Sequence, residues 1–75
     1  MNTDDLNWKV SFGERIRQAR QAQGLTQADF GTQLGYKNPR SDISNIERGQ
    51  MLPSLEKFKL MCEVLEHSAD QILFG

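Results

Sequence analysis

The chain has 75 residues, a formal net charge of −1 and a single cysteine, Cys62. A chain of this length removes only about 60% of its unfolded surface from water, so it forms one domain with a modest core and no enclosed active site. One cysteine excludes an intramolecular disulfide and a structural zinc site built on paired cysteines. No apolar run approaches the roughly 20 residues of a membrane helix, and the first residues lack a signal-peptide pattern, so a soluble, cytoplasmic protein without membrane contacts is expected.

The charges are unevenly distributed along the chain. Residues 36–49 carry three basic and two acidic side chains, whereas residues 50–75 carry two basic and four acidic ones. The middle of the chain can therefore present a positive face to phosphate although the net charge is slightly negative.

The chain begins with a predicted N-terminal tail over residues 1–9, ahead of one domain over residues 10–75. Ser11 is a suitable N-cap for a first helix over about residues 12–23, in which apolar side chains recur at spacings of four and three. Trp8 precedes this helix and is expected to cover the open end of the core rather than to stack on a base or a partner.

Two short helices are predicted within residues 26–49. Thr26 is an N-cap for a helix over residues 27–34, and Gly35 supplies the left-handed residue that ends many helices. Asn38 and Pro39 then provide a cap and a proline at the first helical position, where the missing N–H has no cost. This second helix should end before Gly49.

One face of that second helix is apolar and the opposite face is polar. Ile43 and Ile46 form the apolar edge. Arginine can bond guanine, asparagine can bond adenine, and serine can bond a base or a phosphate. The polar face therefore indicates either a DNA-reading surface or an ordinary solvated helix face. Its members are Arg40, Ser41, Ser44, Asn45 and Arg48.

Two further helices complete an all-α fold. Ser54 can cap a fourth helix that runs to about Glu66, and Ser68 with Gln71 forms the cap and first turn of a short fifth helix. No segment alternates with period two. His67 stands alone, so neither a metal nor a cofactor is expected. The predicted buried stripe of the fourth helix consists of Leu55, Phe58, Met61, Cys62 and Leu65.

Several short motifs occur together in a characteristic order. They are Arg15-Ile16-Arg17, Ala19-Arg20, Gly24-Leu25-Thr26-Gln27, Phe30, Leu34-Gly35, Ile43-Ser44, Ile46-Glu47-Arg48-Gly49, Pro53-Ser54-Leu55 and Leu65. With this spacing the chain resembles the helix-turn-helix domain of the phage repressor and Cro type, found in bacterial and phage transcription regulators and in antitoxins. The resemblance implies a compact five-helix repressor-like fold that binds double-stranded DNA.

The resemblance also implies roles for individual side chains, because the third helix of such domains enters the major groove with its N-terminal residues at base edges. The residues expected to read bases are Arg40, Ser41 and Asn45. Those expected to contact phosphate are Gln27, Lys37, Asn38, Ser44 and Arg48. Arg20 and Glu47 correspond to a structural ion pair, so Glu47 is not expected to be a catalytic acid.

The connection before Ile43 departs from the usual family pattern. Residues 36–42 make it about two residues longer, so either the turn is lengthened or the third helix is extended at its start. Which residues of this segment reach bases is open. Asp42 is expected to act as a local cap or to pair with Lys37 or Arg40, although beside a cytosine it could accept a hydrogen bond.

An apolar patch near the C-terminus predicts a symmetric homodimer. Leu60, Leu73 and Phe74 are expected to remain partly exposed on the fourth and fifth helices. The favoured function is a transcriptional repressor acting as a dimer on a palindromic operator. The alternative is an antitoxin-type module whose main partner is a protein, a toxin or another regulator, with DNA binding secondary. No set of nucleophile, base and orienting group indicates an enzyme.

Overall fold

The computed structural model describes the backbone of residues 3–75 and the side chains from Trp8 onward. Within that part of the chain the structure is all-α, as predicted, and contains five helices. They are α1 (Thr3–Ala22), α2 (Gln27–Gln33), α3 (Pro39–Glu47), α4 (Leu55–Leu65) and α5 (Ala69–Phe74). None of these helices is long and apolar enough to cross a membrane.

Three N-caps form the hydrogen bonds that the sequence predicts. The Thr26 side chain accepts from the backbone N–H of Asp29 at 3.0 Å, and Ser54 accepts in the same way at 3.1 Å at the start of α4. Ser68 and Gln71 form a reciprocal capping box, with bonds of 2.8 and 3.2 Å. These side chains satisfy N–H groups that lack a partner at a helix start, which explains where α2, α4 and α5 begin.

The first helix begins earlier than the sequence indicates. Residues 3–9 of the predicted tail are helical, so the predicted helix start after Ser11 is wrong, while residues 1–2 of that tail lie outside the described residues. The Trp8 ring lies edge-on to the Phe12 ring one helical turn later, with 5.9 Å between the centroids. This aromatic contact stabilises helical structure on the N-terminal side of Ser11, the residue that was expected to cap the helix.

The core lies between α1 and the four shorter helices. Phe12 and Phe58 bring the rings of α1 and α4 to 5.6 Å. Leu55, predicted to be buried, is instead 84% exposed, because it is the first residue of α4 and no neighbouring element covers it. The buried apolar side chains are Phe12, Ile16, Ala19, Phe30, Leu34, Ile43, Ile46, Met61, Leu65 and Ile72.

Two buried glycines allow α3 to lie very close to its neighbours. A Cβ atom added to Gly31 of α2 would lie 2.6 Å from the backbone of Pro39, nearer than non-bonded carbons approach. A Cβ added to Gly13 of α1 would collide with the carbonyl oxygens of Ile46 and Glu47. The start of α3 is thus fixed against α2 and its end against α1.

Candidate nucleic-acid interface

A buried polar network fixes the inner side of α3. The Arg20 guanidinium donates through Nε to Oε2 of Glu47 at 2.6 Å and through Nη2 to Oε1 at 3.1 Å. Its Nη1 donates to the carbonyl oxygen of Leu25 at 2.8 Å, and Nε2 of Gln27 donates to Oε1 of Glu47 at 3.0 Å. Arg20 and Glu47 are each only 7% exposed. The network therefore joins α1, α2 and α3 at one point.

The opposite side of α3 is open to solvent. Arg40, Ser41 and Arg48 are exposed, while Ser44 and Asn45 are half-buried. Ser41, Asn45 and Arg48 follow one another at spacings of four and three, so they lie along one line of the helix surface. The structure thus brings together, on a single face, the five polar side chains of α3 that the sequence singled out.

Two members of this face are hydrogen-bonded to each other. The Arg48 Nη2 donates to Oδ1 of Asn45 at 2.8 Å, and its Nε donates to the carbonyl oxygen of Ser44 at 3.4 Å. The amide nitrogen of Asn45 remains free to donate, and Oδ1 has a second lone pair. The orientation of Asn45 therefore depends on Arg48, although the two residues were predicted to have separate roles.

The longer connection before Ile43 is divided between a turn and the helix. Residues 34–38 form the turn, and α3 begins at Pro39, one turn ahead of Ile43. The Asn38 side chain makes no cap hydrogen bond, although Asn38 was predicted to be a cap. Lys37 and Asn38 are both exposed beside the first turn of α3. This end of the helix carries the positive end of its dipole and uncapped N–H groups, which favour an anion.

Asp42 does not form the predicted ion pair. No contact between its carboxylate and Lys37 or Arg40 is found within residues 8–75, and its backbone N–H donates to the carbonyl oxygen of Asn38 at 2.8 Å. A carboxylate in the first turn of α3 is instead stabilised by the helix dipole. Burial, and then the negative charge of Asp42, raise the pKa of the Tyr36 hydroxyl.

Lys57 and Tyr36, which the sequence analysis did not assign to the site, contact each other at the turn between α2 and α3. The Lys57 Nζ of α4 donates to the carbonyl oxygen of Leu34 at 2.6 Å and lies 5.2 Å from the centroid of the Tyr36 ring. The Tyr36 hydroxyl is buried and has no hydrogen-bond partner among the described residues. Lys57 lies 23 residues from Leu34, so no local pattern in the sequence indicates this contact.

Several apolar side chains of α4 and α5 are exposed or half-buried. Phe74 is 77% exposed, Leu60 is at the border of exposure, and Leu73 is half-buried. Leu55 and Cys62 line an open hollow of about 810 Å³ between α4 and the start of α5. Burial raises the pKa of the Cys62 thiol, which keeps it protonated.

The fold and this site together define a helix-turn-helix DNA-binding domain. The family model described as helix-turn-helix matches residues 16–72, which is most of the chain. The chain is also 39% identical over 61 residues to a Bacillus subtilis (strain 168) protein named "Uncharacterized HTH-type transcriptional regulator YazB"; the alignment covers 81% of this chain and 86% of that protein. No solved structure gave a significant match. The chain belongs to the Cro/C1-type helix-turn-helix family of DNA-binding transcription regulators.

Proposed function

We propose that this protein is a sequence-specific regulator that binds a palindromic operator in double-stranded DNA as a homodimer and represses transcription. The observation that carries the proposal is the two-sided character of α3. Its inner side is fixed by the buried Arg20 and Glu47 pair, while its outer side presents hydrogen-bonding groups to solvent. A helix held in this way can enter the major groove without first losing conformational freedom.

Base reading is assigned to three residues of α3. Arg40 can donate two parallel hydrogen bonds to guanine, and Asn45 can bond adenine through its amide nitrogen and the free lone pair of Oδ1. Ser41 lies one turn ahead of Asn45 and can bond either a base or a phosphate. Each bidentate contact, by Arg40 or Asn45, contributes about 1–3 kcal/mol of discrimination against the wrong base.

Phosphate contacts are assigned to residues around both ends of α3 and at the start of α2. Lys37 and Asn38 flank the uncapped start of α3, and Arg48 and Ser44 lie toward its end. Gln27 has one Nε2 hydrogen engaged by Glu47, so the other hydrogen or its backbone N–H would meet the phosphate. These contacts set the register of the protein on DNA without reading sequence.

Dimerisation is assigned to the apolar surface of α4 and α5, through Leu60, Leu73 and Phe74. Burying the Phe74 side chain against a second copy would remove a large aromatic surface from water. A two-fold dimer would place two recognition helices about 34 Å apart, one turn of DNA. Repression then follows from occupancy, because a bound dimer excludes other proteins from the same stretch of DNA.

A second candidate function is an antitoxin-type module that binds a toxin or another regulator. The exposed Leu55 and the adjoining hollow favour it, since a contiguous apolar area of this kind marks a protein-binding surface. In that case the hollow would bind the partner protein. Co-purification of a different protein bound to this surface would favour this candidate.

DNA binding by these residues can be tested with three alanine variants. Fluorescence anisotropy at several salt concentrations would compare Asn45→Ala and Arg48→Ala with Lys59→Ala, an exposed charge on α4. Asn45→Ala should relax the preference at one position of each half-site. Arg48→Ala should weaken binding to every sequence and lower the salt slope by about one per subunit, with a smaller loss of specificity because Asn45 loses its hydrogen-bond partner.

The control variant, Lys59→Ala, shows whether the effect on DNA binding depends on where the positive charge is removed. Lys59→Ala removes the same charge from an exposed position on α4, outside α3, so it should leave both preference and salt slope close to those of the wild type. If all three variants weaken binding equally, or if Asn45→Ala keeps the full sequence preference, the proposed roles are wrong.

A further inference from the structure

We propose that Lys57 of α4 is a positioning residue for DNA recognition, because it holds the connection between α2 and α3 in the conformation that aims the start of α3. The inference rests on the proposed DNA-binding function and names a residue that neither the family match nor the sequence pattern assigns. Lys57 would act through the turn and would not itself contact a base.

The first support is the contact at the end of α2. The Lys57 Nζ donates to the carbonyl oxygen of Leu34 at 2.6 Å, a short charge-assisted hydrogen bond. The last carbonyl groups of a helix have no partner within the helix and carry its negative dipole end, so a cation is favoured there. Lys57 therefore ties α4 to the residue at which α2 stops and the turn begins.

The second support is the ring of Tyr36, which lies under the same ammonium group at 5.2 Å from its centroid. The Tyr36 hydroxyl is buried and has no partner among the described residues, so hydrogen bonding does not hold this side chain in place. The Tyr36 side chain is therefore held by packing and by the cation above its ring. Removing the ammonium would remove both the hydrogen bond to the Leu34 carbonyl oxygen and the cation–π contact with the Tyr36 ring.

The third support is the position of this contact relative to the reading face. Only Lys37 and Asn38 separate Tyr36 from the first residue of α3, and Arg40 and Ser41 lie in its first turn. The Asn38 side chain forms no cap bond that would fix this end of the helix. Backbone hydrogen bonds from Gly35 and Tyr36 hold the start of the connection, and the Lys57 contacts add side-chain support next to the uncapped start of α3.

A general electrostatic role in attracting DNA does not account for this geometry. The Lys57 ammonium is directed at a backbone carbonyl and an aromatic face in a half-buried place. Lys59, two residues later on the same helix, is exposed and has no ion pair within residues 8–75, so it offers the same charge without the contact. Lys59 is therefore the matched control.

The experiment compares Lys57→Met, Lys57→Arg and Lys59→Met in the full chain. Methionine keeps the apolar stem of lysine and removes the charge and the donor, whereas arginine keeps both. Binding to the duplex preferred by the wild type, and to an unrelated duplex, would be measured by fluorescence anisotropy. Amide hydrogen exchange by NMR would report directly on residues 35–41, and urea unfolding would report on stability.

The proposal predicts a loss confined to recognition and to the turn. Lys57→Met should weaken binding to the preferred duplex about tenfold relative to Lys59→Met, the effect of losing one charge-assisted hydrogen bond, and should speed exchange in residues 35–41. Binding to the unrelated duplex should be the same for both variants. Lys57→Arg should restore preference and slow exchange.

Other outcomes would contradict the proposed positioning role of Lys57. If Lys57→Met and Lys59→Met lose the same affinity for the preferred duplex, Lys57 contributes only its positive charge. If Lys57→Met and Lys57→Arg both fail to fold, Lys57 is needed for stability and not specifically for recognition. A wild type that prefers no duplex would refute the proposed function instead. The exchange rates would then still decide the positioning role, because equal rates in residues 35–41 for the two methionine variants would refute it.

Discussion

Replacing Glu47 by glutamine would test the buried network that fixes α3. The substitution keeps the size of the side chain but removes the charge that Arg20 contacts at 2.6 and 3.1 Å. Arg20 is only 7% exposed, so an uncompensated buried cation would remain. Breaking such a pair costs about 3–5 kcal/mol. A small domain has only about 5–15 kcal/mol of total stability, so Glu47→Gln should lose a large part of it.

Removing both partners should cost less than removing either one. In the double variant Arg20→Met with Glu47→Met no buried charge remains, and replacement of a buried pair by apolar groups is often neutral or stabilising. The carbonyl oxygen of Leu25 and the amide of Gln27 lose a partner, but both residues are half-buried and can turn to water. We therefore expect the double variant to lie within about 2 kcal/mol of the wild type.

Urea unfolding followed by far-ultraviolet circular dichroism gives the free energy of unfolding for each variant. The wild type, Arg20→Met, Glu47→Met and the double variant form a double-mutant cycle. Glu14→Gln is the control, because it breaks the exposed pair between Glu14 and Arg17 and should leave the unfolding midpoint unchanged. Single variants that lose less than about 1 kcal/mol, or a double variant that loses the sum of the single losses, would refute this account of the network.

Three further substitutions test other parts of the structure. Gly31→Ala should lower the free energy of unfolding by about 1–3 kcal/mol, because its Cβ would lie 2.6 Å from the first residue of α3. Thr32→Ala, on the exposed side of α2, should not lower it. Equal stabilities of the two variants would contradict the close approach of α2 and α3. Tyr36→Phe should raise the free energy of unfolding by about 1 kcal/mol, since it removes a buried hydroxyl without a partner, and a loss of stability would show that the hydroxyl is bonded. Phe74→Asp should convert a dimer into a folded monomer by light scattering, and a wild type that is monomeric at high concentration would rule out the dimer.

The parts of the fold that are encoded locally could be predicted from the sequence. The caps at Thr26, Ser54 and Ser68 bond N–H groups three residues away, so their effect is visible in short segments. The left-handed residues Gly35 and Gly49 end α2 and α3 for the same local reason. Short-range hydrogen bonding therefore determined most helix boundaries.

What could not be predicted depends on side-chain conformation and, for Lys57, on a contact between distant segments. The early start of α1 is favoured by the edge-to-face contact between Trp8 and Phe12, which outweighs the cap that Ser11 offers. In the sequence Lys57 resembles any solvent-exposed lysine. Its role arises only because the fold brings α4 to the end of α2. The hydrogen bond from Arg48 to Asn45 likewise depends on rotamers that residue type and spacing do not fix.

The most direct test of DNA recognition by α3 is selection of bound duplexes from a random pool by the wild-type protein. We expect an enriched palindrome whose half-site centres lie about 10 base pairs apart, one helical turn, because two recognition helices related by a two-fold axis reach one face of the duplex. The same selection with Asn45→Ala should lose one position from each half-site. A pool that stays random after repeated rounds would contradict sequence-specific recognition by this face of α3.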